Sequence, residues 1–146
     1  MYVQYICVGV IQVLKFIPLR AQAGITGFES PAAEYTQLGL DLDQLLIDHP
    51  SATWLGYAEG ASMVGDGIHS GDLLIISRAE TVQNDDIIVA NLNGCFVCKR
   101  VDTTARLLLS SAPGARPYQL QDGDEFQVEG VVIRSIRLHR PLSRGL

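Results

Sequence analysis

The sequence predicts a mostly β, antiparallel domain preceded by an extended N-terminal arm that contains one short helix. From Thr53 onward, short runs rich in apolar and β-branched residues alternate with turn sequences. One of these turns is Asn93-Gly94, a dipeptide that strongly favours a tight hairpin between its flanking runs. A chain of 146 residues has the length of one domain that can bury a hydrophobic core.

Six predicted strands follow the arm, and each is bounded by a turn sequence. They cover residues 53–58, 73–77, 87–91, 96–101, 107–111 and 126–138. Glycine, asparagine and aspartate dominate the turns because they adopt the backbone conformations that turns require. These turns are Gly65-Asp66-Gly67, Gly71-Asp72, Asn93-Gly94, Pro113-Gly114 and Asp122-Gly123-Asp124. We therefore assign residues 51–146 to a β-rich domain and residues 1–50 to the arm.

The arm begins with an apolar segment, residues 1–17, that we interpret as a β-branched, partly alternating extension. It lacks the basic region of a signal peptide and reaches Lys15 before the ~20 residues that a membrane helix needs. Residues 18–30 show no long periodic run and contain two glycines, which indicates an accessible linker. We expect a cytoplasmic protein that does not associate with a membrane.

A short helix is predicted at the end of the arm. Asp41 is a suitable N-cap, Gln44 follows three residues later, and His49-Pro50 ends the helix. Leu42, Leu45 and Leu46 lie on one side of it.

Composition argues against direct nucleic-acid binding and against a metal or redox site. Eleven basic residues against 16 acidic ones give a net charge of −5, so any role in DNA metabolism would act through protein partners. Cys95 and Cys98 form a Cys-x-x-Cys sequence, but three residues along a strand separate their Cα atoms by ~10 Å and place the side chains on opposite faces. The chain's other cysteine and its histidines are scattered, and we expect no metal and no cofactor.

Ser62 and Lys99 are the candidate catalytic residues. A serine hydroxyl becomes a good nucleophile when a base takes its proton, and a lysine can be that base when burial favours its neutral form. Strand alternation predicts that Lys99 and Arg100 lie on opposite faces, so that Arg100 points to solvent if Lys99 points inward. Taken alone, the same residues fit a turn serine and an exposed strand lysine.

The order and spacing of several segments add to this pattern. They are Gly27-Phe28-Glu29-Ser30-Pro31-Ala32-Ala33-Glu34-Tyr35, Leu40-Asp41-Leu42-Asp43-Gln44-Leu45-Leu46-Ile47, His49-Pro50-Ser51-Ala52-Thr53, Ser62-Met63, Gly67-Ile68, Ser70-Gly71-Asp72-Leu73-Leu74-Ile75, Phe96-Val97-Cys98-Lys99-Arg100 and Gly130-Val131-Val132-Ile133. Together they resemble a UmuD-type protein of the LexA/UmuD family of self-cleaving serine-lysine peptidases, over about residues 27 to 138. The resemblance implies one LexA/UmuD-like catalytic β domain, with Ser62 as nucleophile and Lys99 as general base.

The resemblance also places the cleaved bond in the linker. Aligning the family pattern puts the bond between Thr26 and Gly27, 35 residues before Ser62. Thr26 departs from the family, which usually has alanine or cysteine before the glycine. Ala23-Gly24 is the more family-like dipeptide, so both bonds are candidates. Glu29 and Asp85 are further departures, because the family usually has proline and glycine at these positions.

Several partners follow from the resemblance. UmuD-type proteins form homodimers, their cleavage is stimulated by the RecA filament on single-stranded DNA, and the shortened form is an accessory subunit of a Y-family translesion polymerase. The expected function is therefore SOS mutagenesis. Two alternatives stay open: a non-cleaving dimerisation and polymerase-binding module, which Thr26 favours, and a signal-peptidase-like protease, against which the absence of a membrane anchor argues.

Overall fold

The computed structural model describes residues 2–6, 14–15 and 39–143. These residues belong to two compact units. The larger unit combines the first strand with the chain from His49 onward, and the smaller one contains the described residues between 9 and 48.

The smaller unit contains a short strand pair and the predicted helix. Strands β2 (Leu14–Lys15) and β3 (Gly39–Leu40) pair antiparallel. Helix α1 (Leu42–Leu46) starts at the predicted cap, where the Asp43 N–H donates to Asp41 Oδ1 at 3.2 Å. The prediction of a short helix capped by Asp41 is confirmed.

The larger unit is built on an eight-stranded sheet in which every pair is antiparallel. Its strands are β1 (Tyr2–Ile6), β4 (Thr53–Glu59), β5 (Leu73–Ser77), β6 (Ile87–Leu92), β7 (Cys95–Asp102), β8 (Leu107–Leu109), β9 (Tyr118–Gln119) and β10 (Phe126–Ile136). Their order across the sheet is β1-β4-β5-β10-β6-β7-β8-β9. All six predicted strands are present, each with ends within two residues of the prediction, which confirms the mostly β fold.

Strand β1 differs from the assignment of residues 1–50 to an arm. It pairs with β4 over its whole length, from Tyr2 opposite Glu59 to Ile6 opposite Leu55, and it also approaches β7. The edge of β4 supplies hydrogen-bond partners that an isolated extended segment lacks, which explains why this apolar segment joins the sheet.

Both faces of the sheet are covered by apolar side chains, which form two core clusters. The first cluster consists of Ala58, Met63, Ile68, Leu74, Ile76, Val89 and Cys98, and the second of Ile88, Ala90, Val101, Leu108 and Val131. Consecutive residues of β6 and β7 alternate between the two clusters, as a strand buried on both faces requires. Lys99 and Arg100, near the end of β7, therefore lie on opposite faces of a covered sheet.

Two turns next to β6 use left-handed backbone. Asn93 and Gly94, which connect β6 to β7, have φ values of 52° and 84°, as a tight hairpin turn requires. Asp85, just before β6, has a φ of 68°. Glycine adopts this conformation without steric cost, which explains why glycine would suit this turn.

The cysteines of β7 have different environments. Cys95 is exposed and Cys98 is fully buried in the first cluster, as the alternation of a strand predicts. Burial raises the pKa of the Cys98 thiol to about 12. No helix among the described residues combines the length and apolar character needed to cross a membrane.

Candidate active site

Lys99 lies on β7, between β6 and β8, with its amine bound to a serine hydroxyl. It is opposite Ile88 in the β6–β7 ladder, and its side chain is half-buried. The Lys99 Nζ donates to the Ser110 Oγ at 2.8 Å. Burial lowers the pKa of Lys99 below its usual value, since desolvation disfavours the ammonium form. A lowered pKa increases the neutral fraction of the amine, which is the form that can accept a proton.

Ser62 lies in the loop that follows β4 and is held there through its backbone. Its carbonyl oxygen accepts hydrogen bonds from the N–H groups of Ser111 at 2.8 Å and Ala112 at 3.1 Å. The next residue, Met63, is fully buried in the first core cluster. The loop is thus fixed by a buried side chain on one side and by two backbone hydrogen bonds on the other.

The segment Ser110–Ser111–Ala112 contacts both candidate residues, Lys99 through its amine and Ser62 through its carbonyl. Because Ser110 and Ser111 are consecutive, the two hydrogen bonds of 2.8 Å limit the distance between Lys99 Nζ and the Ser62 carbonyl oxygen to about 10 Å. The fold therefore brings two residues 37 positions apart into one region. A direct bond between their functional groups stays a prediction.

The proposed cleavage positions lie outside the described residues. This applies to the bond between Thr26 and Gly27 and to the alternative between Ala23 and Gly24. Which of them is cut stays a prediction.

The loop that carries Ser62 is fixed at a second point, through Asp66. The Asp66 N–H donates to Ser111 Oγ at 3.0 Å, and the Asp66 carboxylate pairs with the guanidinium of Arg100. Arg100 also donates to the carbonyl of Asp85. Arg100 thus differs from the prediction that it faces open solvent, because the loop after Ser62 covers that face of the sheet.

Close packing reinforces this attachment at Gly65. A Cβ atom at this position would lie 2.3 Å from the Ser111 carbonyl oxygen and 2.9 Å from the Ser111 Cβ. The backbone of the loop approaches Ser111 more closely than any side chain would allow.

Asp72 fixes the turn before β5. Its buried carboxylate accepts from the His69 N–H at 2.8 Å and from two nitrogens of Arg137 at 2.5 and 3.0 Å. Burial by itself would raise the pKa of this carboxyl, but the bonds from Arg137 and His69 outweigh burial, and the pKa lies below its usual range. Asp72 is thus engaged in a structural ion pair at this turn.

Sequence reasoning did not identify Ser110, Ser111 or Asp66 as residues of this region. The sequence pattern places Ser110 and Ser111 at the end of a predicted strand and Asp66 in a turn. Their contacts with Lys99 and with the Ser62 loop join residues 11 to 49 positions apart, and no local pattern encodes such contacts. The available indication was the pair of adjacent serines at the end of an apolar run.

Comparison with known proteins shows the family of this chain. The Peptidase S24-like family matches residues 15–133. Protein SamA of Salmonella typhimurium is 38% identical over 123 residues, which cover 84% of this chain and 86% of SamA. Protein ImpA of Escherichia coli is 38% identical over 125 residues, covering 84% of this chain and 81% of ImpA. Protein MucA of Escherichia coli is 35% identical over 125 residues, covering 84% and 86%.

The matched region contains the whole candidate site, from the linker through Ser62 and Lys99 to the segment that contacts both. The described part of that region also has the mostly β fold that the motifs predicted. The chain therefore belongs to the Peptidase S24-like family and is a UmuD-type SOS mutagenesis protein of the LexA/UmuD family of self-cleaving serine peptidases.

Proposed function

We propose that this protein cleaves its own N-terminal arm with Ser62 as nucleophile and Lys99 as general base. The observation that carries the proposal is the half-buried Lys99 amine, bound to the segment that also binds the Ser62 backbone. Family membership supports the same chemistry.

The reaction needs one proton to move twice. Neutral Lys99 accepts the Ser62 hydroxyl proton while the Ser62 Oγ attacks the carbonyl carbon of the scissile bond. The resulting Lys99 ammonium then donates that proton to the leaving amine, which becomes the new N-terminus. Water hydrolyses the Ser62 ester and releases the new C-terminus. Backbone N–H groups of the Ser62 loop would stabilise the oxyanion, since fixed donors require little reorganisation.

The bond that is cut is proposed to be Thr26-Gly27, with Ala23-Gly24 as the alternative. The β-branched side chain of Thr26 is stiff at χ1, and this favours slow cleavage at the first bond. The masses of the fragments distinguish the two sites.

Regulation is proposed to act through docking of the linker. An enzyme that carries its own substrate is limited by the fraction of molecules in which that substrate occupies the site, so a partner that favours the docked form accelerates cleavage. We propose the RecA filament on single-stranded DNA as that partner. The shortened protein would then act as a homodimer and accessory subunit of a Y-family translesion polymerase.

The test is incubation of the purified chain at alkaline pH, and separately at neutral pH with RecA, single-stranded DNA and an ATP analogue. We expect two fragments from the wild type and none from Ser62→Ala or Lys99→Ala. The chain has two lysines, so Lys15→Ala is a matched control that should leave cleavage intact. Cleavage that persists in Lys99→Ala would remove Lys99 from the mechanism.

An intact wild-type chain under both conditions would instead support the non-cleaving binding module. Binding of a Y-family polymerase subunit by the uncut chain would then be the function to measure. Cleavage of other proteins without cleavage of the linker would support the signal-peptidase-like alternative.

A further inference from the structure

We infer that Ser110 is a positioning residue, which holds the Lys99 amine and directs its lone pair toward the reacting hydroxyl. The inference rests on the proposed self-cleavage function and adds to it a residue that the sequence motifs did not include. It starts from the 2.8 Å hydrogen bond between Lys99 Nζ and Ser110 Oγ.

The strand ladder places Ser110 beside Lys99. The β7–β8 register pairs Arg100 with Leu109, so the next pair in an antiparallel ladder is Lys99 and Ser110. Side chains of directly opposite residues lie on the same face of the sheet. Both residues are half-buried. The contact is thus set by backbone pairing and does not depend on a chance meeting of flexible surface side chains.

A hydroxyl suits this role because it can bind the amine in both protonation states. The ammonium form of Lys99 donates to Ser110 Oγ, and a neutral amine can donate one N–H to the same oxygen. That bond leaves the lone pair of the neutral amine free to accept a proton from another direction. Without it, the long side chain keeps rotamer freedom that must be lost before the proton is transferred.

The residues that follow β8 contact both Lys99 and the backbone of Ser62. Ser110 binds the amine of the base, and the following N–H groups, on Ser111 and Ala112, bind the carbonyl of Ser62. One short stretch of backbone therefore sets the position of both groups. On β7, Lys99 is flanked by the buried Cys98 thiol and by Arg100, whose charge is paired with Asp66.

The first experiment measures the self-cleavage rate against pH for the wild type, Ser110→Ala and Ser110→Thr. Loss of a hydrogen bond to a charged group predicts a rate about 10- to 100-fold lower for Ser110→Ala. Its pH profile should also move to lower pH, since the oxygen that stabilises the ammonium form is gone. Ser110→Thr keeps the hydroxyl and should restore most of the rate and the profile. Ser135→Ala, which removes an exposed serine of β10, is the matched control.

The second experiment observes Lys99 without requiring cleavage. Lysine-selective ¹³C labelling of a Ser62→Ala chain gives signals from only two lysines, and Lys15→Arg assigns them. We expect Ser110→Ala to lower the titration midpoint of Lys99 and to leave that of Lys15 unchanged. The same spectra report whether Ser110→Ala is folded.

The outcomes separate this inference from the proposed function. A wild type that stays uncut, with a Lys99 titration that responds to Ser110→Ala, would refute self-cleavage and preserve the contact. A wild type that cuts itself, with rate and titration both unaffected by Ser110→Ala, would overturn the inference. A lower rate with an unmoved titration and no recovery in Ser110→Thr would also overturn it, because Ser110 would then have only a structural role.

Discussion

Replacing Gly65 by alanine should displace the loop that carries Ser62. An added Cβ would lie 2.3 Å from the Ser111 carbonyl oxygen, whereas ordinary contacts begin near 3.4 Å. Because the nearest atom belongs to the backbone, no side-chain rotation removes the clash. The loop and Ser111 must therefore move apart by about 1 Å, against the hydrogen bonds that join them.

The size of that displacement predicts two measurable effects. Overpacking of this kind costs about 1–3 kcal/mol in the free energy of unfolding. For a chain of this length, the melting temperature should fall by about 2–12 °C. A shift of ~1 Å in a catalytic group can lower a rate about 100-fold, so self-cleavage should fall much more than stability.

Two other glycines serve as controls in thermal unfolding and alkaline self-cleavage assays. A Cβ at Gly123 meets no atom within 4 Å, so Gly123→Ala should change neither quantity appreciably. A Cβ at Gly130 would lie 2.6 Å from Ile76 Cγ2, so Gly130→Ala should lower the melting temperature without a selective loss of cleavage. If Gly65→Ala matches Gly123→Ala in both assays, the loop is not tightly held. If it matches Gly130→Ala, the loop does not position the nucleophile.

Three further predictions concern charged and buried groups. Lys99→Met should abolish cleavage at pH 8 yet keep or raise the melting temperature, because the fold lowers the pKa of Lys99 by burying its charged form. The stability difference between Lys99→Met and the wild type should shrink as pH rises from the folded pKa toward the unfolded value of about 10.4, and a constant difference would refute the desolvation argument. Iodoacetamide should alkylate Cys95 in the folded protein and reach Cys98 only after unfolding, as peptide mass mapping can show, because Cys98 is buried and its pKa is about 12. Asp72→Asn should lower the free energy of unfolding at pH 7 in urea titrations. Because the pKa of Asp72 is lowered in the fold, the extra stability of the wild type should be present above about pH 3.9 and disappear as pH falls through the folded pKa. Extra stability that is unchanged at low pH would exclude the ion pair with Arg137 as its source.

Local sequence was sufficient wherever the physical cause is local. Asp41 caps α1 because a short acceptor side chain can reach an N–H two residues away. The hairpin at Asn93 and Gly94 follows from the left-handed backbone that these two residues tolerate. By contrast, the two-residue strand β9 was not predicted, since two residues are too few to show a period.

The resemblance to UmuD-type proteins made Ser62 and Lys99 the candidate catalytic residues, but it did not indicate what surrounds them. Alternation correctly placed the side chains of Lys99 and Arg100 on opposite faces of β7. It could not indicate that the loop after Ser62 covers the Arg100 face and places Asp66 against the guanidinium. Covering of that kind depends on how distant segments pack, which strand periodicity does not describe.

The amino-acid order by itself therefore determined six strands of the sheet, the turns between them and the capped helix, because propensities and turn signals act over a few residues. Tertiary structure decided which groups meet. The pairing of β7 with β8 put Ser110 beside Lys99, and the close approach at Gly65 attached the Ser62 loop to Ser111. Such contacts arise when sheet register and chain packing bring together residues that are far apart in the sequence, where burial can lower the pKa of an amine.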